Sequence, residues 1–281
     1  MTSEAITTTI PAVTLNSGVR MPQLGFGVFQ VSDDDTTDAV SHALAAGYRS
    51  IDTAAIYGNE AGTGRAIAES GINRGDLFIT SKLWVADLGY DATLAAFDAS
   101  LDKLGLEYLD LYLIHWPAPA TDRYLESWRA LEQLLADGKV RAIGVSNFLP
   151  EHLQKVIDLG GTVPAINQVE LHPALQQRDI ADFNTAHGIA TEAWSPLAQG
   201  AVLTEPAVGN IAARHGVTPA QAILRWHLQQ GRIIIPKSVT PQRIRENLDV
   251  FGFELAAEEL SIIDGLDRDG RTGPHPADFN G

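Results

Sequence analysis

The chain has 281 residues, of which 45% are hydrophobic, and it carries a formal net charge of −15. This hydrophobic fraction supplies a large core and argues against intrinsic disorder, while the acidic balance argues against nucleic acid and anionic membrane surfaces as partners. The sequence contains no cysteine, which excludes disulfides, thiolate metal sites and cysteine nucleophiles. No apolar run approaches the roughly 18 residues that span a bilayer, and the first residues lack a signal-peptide pattern, so we expect a cytoplasmic protein.

Two short alternating runs near the N-terminus predict a β-hairpin. They lie within residues 13–21 and are joined by Asn16, Ser17 and Gly18, residue types that favour a tight turn. The Thr-rich segment 1–10 before the hairpin predicts a frayed start. The regular part of the fold is therefore expected to begin after the hairpin.

The rest of the chain alternates between short β-rich runs and helical periodicity. The predicted strands lie at residues 24–28, 48–51, 77–81, 109–114, 140–145, 165–169, 189–193 and 232–235. The predicted helices lie at residues 35–46, 60–69, 91–104, 121–137, 150–159, 176–187, 217–230 and 241–249. This alternation predicts an α/β fold with a parallel sheet closed into a (β/α)₈ TIM barrel, formed by a single domain over residues 1–281. The alternative is an open doubly wound sheet, which is weakened because no Gly-x-Gly-x-x-Gly follows a strand.

Polar side chains end three consecutive strands of this predicted barrel. Asp52 follows the second strand with Tyr57 in its loop, Lys82 follows the third, and His115 follows the fourth. Because the C-terminal ends of barrel strands meet at one face, we expect these side chains to gather there. Each one alone is more often a cap, a solvated side chain or a hydrogen-bonded loop residue. Together they predict an active site.

The chemistry of these residue types fits the protonation of an oxygen that gains electrons. A free phenol has a pKa of about 10 and gives up its proton reluctantly near neutrality. A neighbouring ammonium lowers that pKa, and an aspartate paired with the lysine keeps the lysine charged. An imidazole can hydrogen-bond a carbonyl oxygen and hold it against the phenol. No side chain in the group donates electrons, so we expect a redox cofactor.

Five motifs resemble the signatures of the aldo-keto reductase family and follow the family's order over most of the chain. They are DTA through YGNE at 52–60, TSKLW at 80–84, LIHWP at 113–117, IGVSNF at 143–148 and IPKS at 235–238. The bacterial 2,5-diketo-D-gluconate reductase branch is the most similar, partly because of the short tail after position 270. The resemblance implies that Tyr57 is the general acid, that Lys82 and Asp52 tune it, and that His115 orients the carbonyl.

The resemblance also implies a binding site for NADPH/NADP+, which supplies the hydride. Ser146, Asn147 and Gln168 match residues that hold the nicotinamide carboxamide, and Trp194 matches an aromatic residue that stacks on the nicotinamide ring. A core tryptophan ending the seventh strand is the other interpretation of Trp194. The remaining cofactor positions implied by the resemblance are Gly27, Ser195, Leu197, Lys237, Ser238, Val239, Arg243, Glu246 and Asn247.

Among these positions, Lys237, Ser238 and Arg243 would face the adenosine 2′-phosphate, and Glu246 and Asn247 the adenine amino group. A lysine and an arginine beside a helix N-terminus also form an anion site on physical grounds. An ordinary solvated helix start would explain the same residues if the other motifs were absent.

Aromatic residues after the first, third and fourth strands predict the substrate pocket. Phe29, Trp84 and Trp116 are expected to line its mouth beside Tyr57. Phe279 lies in a tail that is too short to form a deep lid, so we expect an open pocket for small polar carbonyl compounds. The other histidines show no metal-ligand spacing, so we predict no metal, and most of them are interpreted as helix-surface or loop residues. They are His42, His152, His172, His187, His215, His227 and His275.

Three functions from different classes are compatible with these residues. The first is an NADPH-dependent reductase of aldehydes, ketones or dicarbonyls such as methylglyoxal or diketo sugar acids, acting on a small-molecule substrate as a monomer. The second is a Schiff-base lyase that uses Lys82, although a paired Asp52 would keep that lysine protonated, and imine formation needs the free amine. The third is a non-catalytic NADPH-binding sensor or accessory protein.

Overall fold

A computed structural model describes residues 10–281 of the chain. The predicted hairpin is present: β1 (Ala12–Thr14) pairs antiparallel with β2 (Arg20–Pro22). Gly18 occupies the turn with a φ of 81°, a left-handed conformation that glycine adopts without steric cost. The predicted frayed start falls almost entirely on residues 1–9, which lie outside the described residues.

The remaining strands form one parallel sheet whose spatial order follows the chain. They are β3 (Phe26–Gly27), β4 (Ser50–Asp52), β5 (Phe78–Leu83), β6 (Leu109–Ile114), β7 (Val140–Ser146), β8 (Ile166–Glu170), β9 (Ala190–Trp194) and β10 (Ile233–Ile234). The sheet closes on itself, because Leu24 bridges Ile234 in parallel and the Gly25 amide donates to the Ile234 carbonyl at 2.8 Å. The predicted (β/α)₈ barrel with an N-terminal hairpin is thereby confirmed.

The helices of residues 10–281 lie between these strands along the chain and after the last of them. They are α1 (Asp33–Ala46), α2 (Glu60–Glu69), α3 (Tyr90–Leu104), α4 (Tyr124–Ala136), α5 (Pro150–Ile157), α6 (Arg178–Ala186), α7 (Pro206–His215), α8 (Pro219–Gln229), α9 (Pro241–Leu248) and α10 (Ala257–Asp264). None of the helices in this part of the chain has the length and apolar character needed to cross a membrane.

The predicted helices do not include α7 and α10. Because α7 has Gly209 in its interior, its helical pattern is weak in the sequence. The strand β9 is therefore followed by two helices rather than one. The helix α4 begins later than predicted, because Asp122 has a φ of 50°, outside the helical region.

The barrel interior is apolar at one end and polar at the other. Toward the end where the strands begin, the inward-facing Phe78 and Leu111 lie in one cluster with Met21 of the hairpin. Further along the same strands the inward positions become polar, because Lys82 lies four residues after Phe78 and His115 lies four residues after Leu111. The hairpin thus covers the apolar end, and the polar side chains gather at the C-terminal ends of the strands.

Candidate active site

The four predicted catalytic side chains are brought together at one end of the barrel. Asp52 ends β4, Lys82 lies near the end of β5, and His115 directly follows β6. These three strands are neighbours in the sheet. Tyr57 ends a single 3₁₀ turn after β4, which folds its phenol back over the strand ends.

Lys82 is at the centre of this group and is fully buried. Its Nζ forms an ion pair with Asp52 Oδ1, donates to the Thr53 carbonyl at 2.9 Å and lies 3.5 Å from Tyr57 Oη. Burial alone would lower the pKa of Lys82, but the Asp52 carboxylate and the Tyr57 phenol outweigh it and raise the pKa. The lysine is therefore held as an ammonium whose hydrogens point at three oxygens.

Tyr57 keeps its proton in this environment. Burial raises the pKa of the Tyr57 phenol above its usual 10, and the Lys82 ammonium lowers it by a smaller amount. Lys82 therefore acts in the predicted direction, but the net shift is opposite to the predicted one because desolvation of the phenolate is the larger effect. A neutral phenol with an ammonium beside it can donate a hydrogen bond and then a proton to an oxygen that becomes negative.

His115 is a neutral imidazole that faces Tyr57. Burial, together with the nearby Lys82 ammonium, holds the pKa of His115 well below its usual 6.5. Its ring centroid lies 5.6 Å from that of Tyr57, and its buried Nδ1 has no hydrogen-bond partner among the described residues. An unprotonated imidazole beside a phenol can orient a carbonyl oxygen without adding a charge.

Asn59 fixes the loop that carries Tyr57, a role that the sequence does not reveal. Its Nδ2 donates to the carbonyls of Val28 and Val31 at 2.9 and 3.0 Å, and its Oδ1 accepts from Thr53 Oγ1 at 2.8 Å. The side chain is fully buried. It therefore ties the loop after β3 to the loop after β4 and places Tyr57 between them.

The side chains predicted to hold the nicotinamide lie beside this group, at the ends of β7, β8 and β9. Trp194 Nε1 donates to Asn147 Oδ1 at 2.8 Å, and Ser146 Oγ donates to the Gln168 carbonyl at 2.8 Å. Gln168 Nε2 donates to Asp52 Oδ2 at 2.9 Å, so it also contacts the catalytic group directly. Trp194 is only partly buried, which leaves part of its ring available to a ligand.

Most of the residues predicted to bind the phosphates and adenine lie between the end of β10 and the end of α9. Ser195 and Leu197 instead lie directly after β9. Lys237 and Arg243 are exposed, and no carboxylate lies within ion-pair distance of either one among residues 10–281. Two cations without a carboxylate partner near a helix start are suited to bind an anion, even in a protein that is acidic as a whole. Ser238 accepts from the Thr240 amide at 3.1 Å at this start.

The remaining predicted cofactor positions differ in burial and in their contacts. Val239 is 53% exposed beside the two cations, whereas Asn247 is buried and Glu246 accepts a hydrogen bond from Gln242 at 2.7 Å. At Gly27, a Cβ would lie 3.1 Å from the Ile235 carbonyl oxygen, so a side chain there would crowd β10. Glycine at this position therefore allows the close approach of β3 to the backbone that follows β10.

The predicted pocket residues surround the catalytic group, and the C-terminal tail reaches them. The Phe29 ring centroid lies 5.0 Å from that of Tyr57, and the Trp84 centroid lies 5.4 Å from the ring of His115. Phe279 packs against Trp116 at 4.4 Å and contacts Trp84 at 6.0 Å. The tail therefore reaches the pocket, and the expectation that it is too short to cover the site is wrong beside Trp84 and Trp116.

The interpretation of most of the other histidines as helix-surface or loop residues is wrong for His152 of α5 and His227 of α8, which are buried. His172 is also buried, but it lies in the loop after β8. Each of these three histidines has a polar partner inside the protein. Nε2 of His227 lies 3.1 Å from the Pro196 carbonyl, and His152 Nδ1 accepts from a backbone amide at 3.2 Å. Within residues 10–281, no group of three or more potential ligands could hold a metal ion.

Residues 23–268 match the Aldo/keto reductase family. The chain belongs to the aldo/keto reductase family. An aldo-keto reductase of Mycobacterium sp. (strain JLS) is 56% identical over 270 residues, which are 96% of this chain and 98% of that protein. A glyoxal reductase of Bacillus subtilis (strain 168) is 52% identical over 265 residues, which are 94% of this chain and 95% of that protein.

A solved crystal structure has the same fold over nearly the whole chain. The crystal structure of a Gox0644 variant in complex with NADPH has a TM-score of 0.93 and 47% identity, covering 96% of this aldo/keto reductase and 99% of that chain. The family and fold predicted from the motifs are confirmed. The finer resemblance to the 2,5-diketo-D-gluconate reductase branch stays a prediction.

Proposed function

We propose that this aldo/keto reductase is an NADPH-dependent carbonyl reductase in which Tyr57 donates the proton. The main support is the contact of Tyr57 Oη with Lys82 Nζ at 3.5 Å, beside the neutral imidazole of His115. A carbonyl oxygen placed between Tyr57 and His115 would meet two neutral hydrogen-bond groups and, behind the phenol, an ammonium. As negative charge grows on this oxygen, the phenol proton moves to it, and Lys82 stabilises the phenolate that remains.

The residues beside this group fit the nicotinamide end of NADPH, which would supply the hydride when bound. The partly buried indole of Trp194 offers a flat face, and Ser146, Asn147 and Gln168 offer polar groups around it. In the proposal, Trp194 stacks on the ring, and the three polar residues orient its carboxamide.

The opposite end of the cofactor fits the surface at the start of α9. The unpaired cations Lys237 and Arg243 would bind a 2′-phosphate together with Ser238, and Val239, Glu246 and Asn247 would contact the adenosine. Gly27, Ser195 and Leu197 would line the path between the two ends. The NADPH bound by the related Gox0644 variant supports this assignment.

The substrate class is inferred from the pocket and from the relatives. Aromatic rings of Phe29, Trp84 and Trp116 enclose the site near Tyr57, and Phe279 of the tail narrows it. Such a pocket suits small aldehydes, ketones and dicarbonyls, and the 52% identity to a glyoxal reductase supports dicarbonyls in particular.

Nothing in the contacts of Lys82 favours the Schiff-base alternative. Its ammonium is fully buried and directed at Asp52, Thr53 and Tyr57, and the raised pKa of Lys82 disfavours the free amine that imine formation requires. A non-catalytic sensor would need neither the ion pair nor the phenol beside it.

Steady-state kinetics of the Tyr57→Phe variant tests the proposal. With NADPH and glyoxal or methylglyoxal, we expect kcat to fall by about 10²- to 10⁴-fold, the usual range for losing a general acid. The dissociation constant of NADPH, followed by fluorescence quenching, should stay near that of the wild type. Tyr108→Phe is the matched control, because Tyr108 lies just before β6 at the opposite end of the barrel. Full turnover by Tyr57→Phe would contradict the assignment of Tyr57, and no turnover by the wild type on any carbonyl would favour the sensor.

A second experiment tests the cofactor site. We expect Arg243→Ala to raise the KM for NADPH by about tenfold or more, because a charge-assisted hydrogen bond to phosphate is lost. The KM for NADH should not change, since NADH has no 2′-phosphate. Arg245→Ala removes an exposed arginine from the same helix and serves as the control. Equal effects of Arg243→Ala on both cofactors would contradict this site.

A further inference from the structure

Glu192 is a fully buried carboxyl group that faces the barrel interior. It lies on β9, opposite Gln168 of β8 and Ile233 of β10. The preceding residue, Thr191, accepts a hydrogen bond from Asn184 of α6 at 2.9 Å and so points outward. Because side chains alternate along a strand, Glu192 points in the opposite direction, toward the strands that carry the catalytic group.

Gln168 connects Glu192 to this group. Its Nε2 donates at 2.9 Å to Glu192 Oε2 and at 2.9 Å to Asp52 Oδ2. The other oxygen of Asp52 belongs to the ion pair with Lys82, which reaches Tyr57. The buried side chains therefore form one continuous chain of contacts from Glu192 to the phenol. Both hydrogens of the Gln168 amide are used, which fixes the orientation of that amide.

The contacts of Glu192 fit a protonated carboxyl group. Its Oε2 accepts one hydrogen bond from an uncharged amide, and its buried Oε1 has no partner among the described residues. An ionised carboxylate in that position would be buried with one neutral donor, which is costly. Burial and the Asp52 carboxylate raise the pKa of Glu192 to about 8.

The other charges around Glu192 support the same protonation state. The interior groups that face it are the Asp52 carboxylate, the Lys82 ammonium and the Tyr57 phenol, while Gly144 of β7 and Ile233 of β10 carry no charge. Glu170, the next inward position on β8, bonds to the C-terminal tail. The charged residues of α6 lie on the outer side of the strand; they are Arg178, Asp179 and Asp182. The charges of the Lys82 ammonium and the Asp52 carboxylate therefore cancel in the barrel interior only while Glu192 is neutral.

We propose that Glu192 is a positioning residue that, in its protonated form, holds Gln168 and through it the Asp52–Lys82 pair in the arrangement that Tyr57 needs. The inference rests on the proposed function of this site. Ionised Glu192 would add a negative charge that raises the pKa of Tyr57, so the phenol would become a weaker acid. Carbonyl reduction should therefore slow as Glu192 loses its proton.

The pH profile of kcat tests this proposal. Glu192→Gln keeps an acceptor for Gln168 but cannot ionise. We expect wild-type kcat to fall about tenfold between about pH 7 and pH 9.5 and the profile of Glu192→Gln to stay nearly flat. Glu192→Leu should lower kcat about tenfold at neutral pH, since it leaves an amide hydrogen of Gln168 unsatisfied. Asp182→Asn, which removes an exposed carboxylate outside the barrel, should keep the wild-type profile.

Two results would overturn the inference: the same alkaline decline in Glu192→Gln as in the wild type, or wild-type kcat in folded Glu192→Leu. A readout independent of turnover separates this failure from failure of the proposed function. In ¹³C NMR of protein labelled at glutamate carboxyls, a resonance absent from Glu192→Gln should titrate near pH 8. Titration of that resonance near the ordinary value of about 4.3 would also overturn the proposal, whether or not the protein reduces carbonyls.

Discussion

Asp52 and Lys82 form an ion pair in the barrel interior, with 3% of the Asp52 side chain and none of the Lys82 side chain exposed. A buried pair of this kind contributes little net stability over apolar residues, because both charges lose their water. Losing only one partner is far more costly, since it leaves the other charge buried and unpaired. Stability alone therefore does not account for the Asp52–Lys82 ion pair. Its position beside the phenol of Tyr57 indicates that it serves catalysis.

The energetic consequence can be measured with single and double variants. We expect Lys82→Met to lower the free energy of unfolding by about 3–5 kcal/mol in urea denaturation, and the double variant Asp52→Leu/Lys82→Met to recover most of that loss. Both should lack reductase activity. Lys139→Met breaks the exposed pair with Asp98 and should cost less than about 1 kcal/mol. A double variant that is less stable than Lys82→Met would contradict this account.

Much of the fold follows from local patterns in the sequence. Strands such as 109–114 are short apolar runs, and their regular alternation with helices restricts the possible topologies to a few. The sequence does not predict the helix α7, because Gly209 weakens its helical periodicity. The later start of α4 depends on the backbone of Asp122, which propensity does not determine.

The candidate site was only partly predictable from the sequence. Asp52, Tyr57, Lys82 and His115 follow consecutive strands, so barrel geometry alone brings them together. The hydrogen bond between Gln168 and Asp52 joins residues 116 positions apart, and no local pattern encodes such a pairing. The contact of the tail with the pocket is unpredictable for the same reason, since the length of a tail does not show where it packs.

His115 should remain neutral over the range in which an ordinary histidine titrates. Burial and the Lys82 ammonium both lower the pKa of His115, so acidification to about pH 5.5 should not protonate it. We expect no decline of kcat/KM that traces to His115 between about pH 7 and pH 5.5. In ¹H–¹⁵N NMR, the imidazole signals absent from His115→Gln should keep their shifts over that range. A titration of these signals near pH 6.5 would contradict the neutral role.

Phe279 links the tail to the pocket. Removing its side chain should weaken substrate binding more than it slows the catalytic step. Phe279→Ala loses the contact with Trp116 at 4.4 Å, and aromatic contacts contribute about 0.5–1.5 kcal/mol each. We expect KM for small carbonyls to rise about two- to tenfold with kcat nearly unchanged, the pattern of a binding interaction present throughout the reaction. Phe253→Ala, which instead removes a ring packed against His215, is the control. A collapse of kcat at constant KM would show that the tail has a different role.

Glu170 anchors the same tail to the barrel. Its buried carboxylate accepts from the Thr272 amide at 2.7 Å, from Thr272 Oγ1 at 2.6 Å and from the Gly273 amide at 3.0 Å. Burial alone would raise the pKa of Glu170, but hydrogen bonds from His172, Thr272 and Gly273 outweigh it and lower the pKa to about 2. The folded state thus favours the ionised form more strongly than the unfolded chain does.

Acid should therefore release the tail. Because the pKa of Glu170 is lower in the folded state, its contribution to stability is complete above the ordinary glutamate pKa of 4.5 and is lost as the pH falls toward about 2. We expect Glu170→Gln to be less stable than the wild type by about 1–3 kcal/mol at neutral pH, with the difference shrinking across that window. Glu258→Gln removes an exposed carboxylate and controls for the change in net charge. The opposite result would be a stability difference between the wild type and Glu170→Gln that stays constant down to about pH 2.5. In that case protonated Glu170 would bind the tail as well as the carboxylate does, and the contacts would not depend on ionisation.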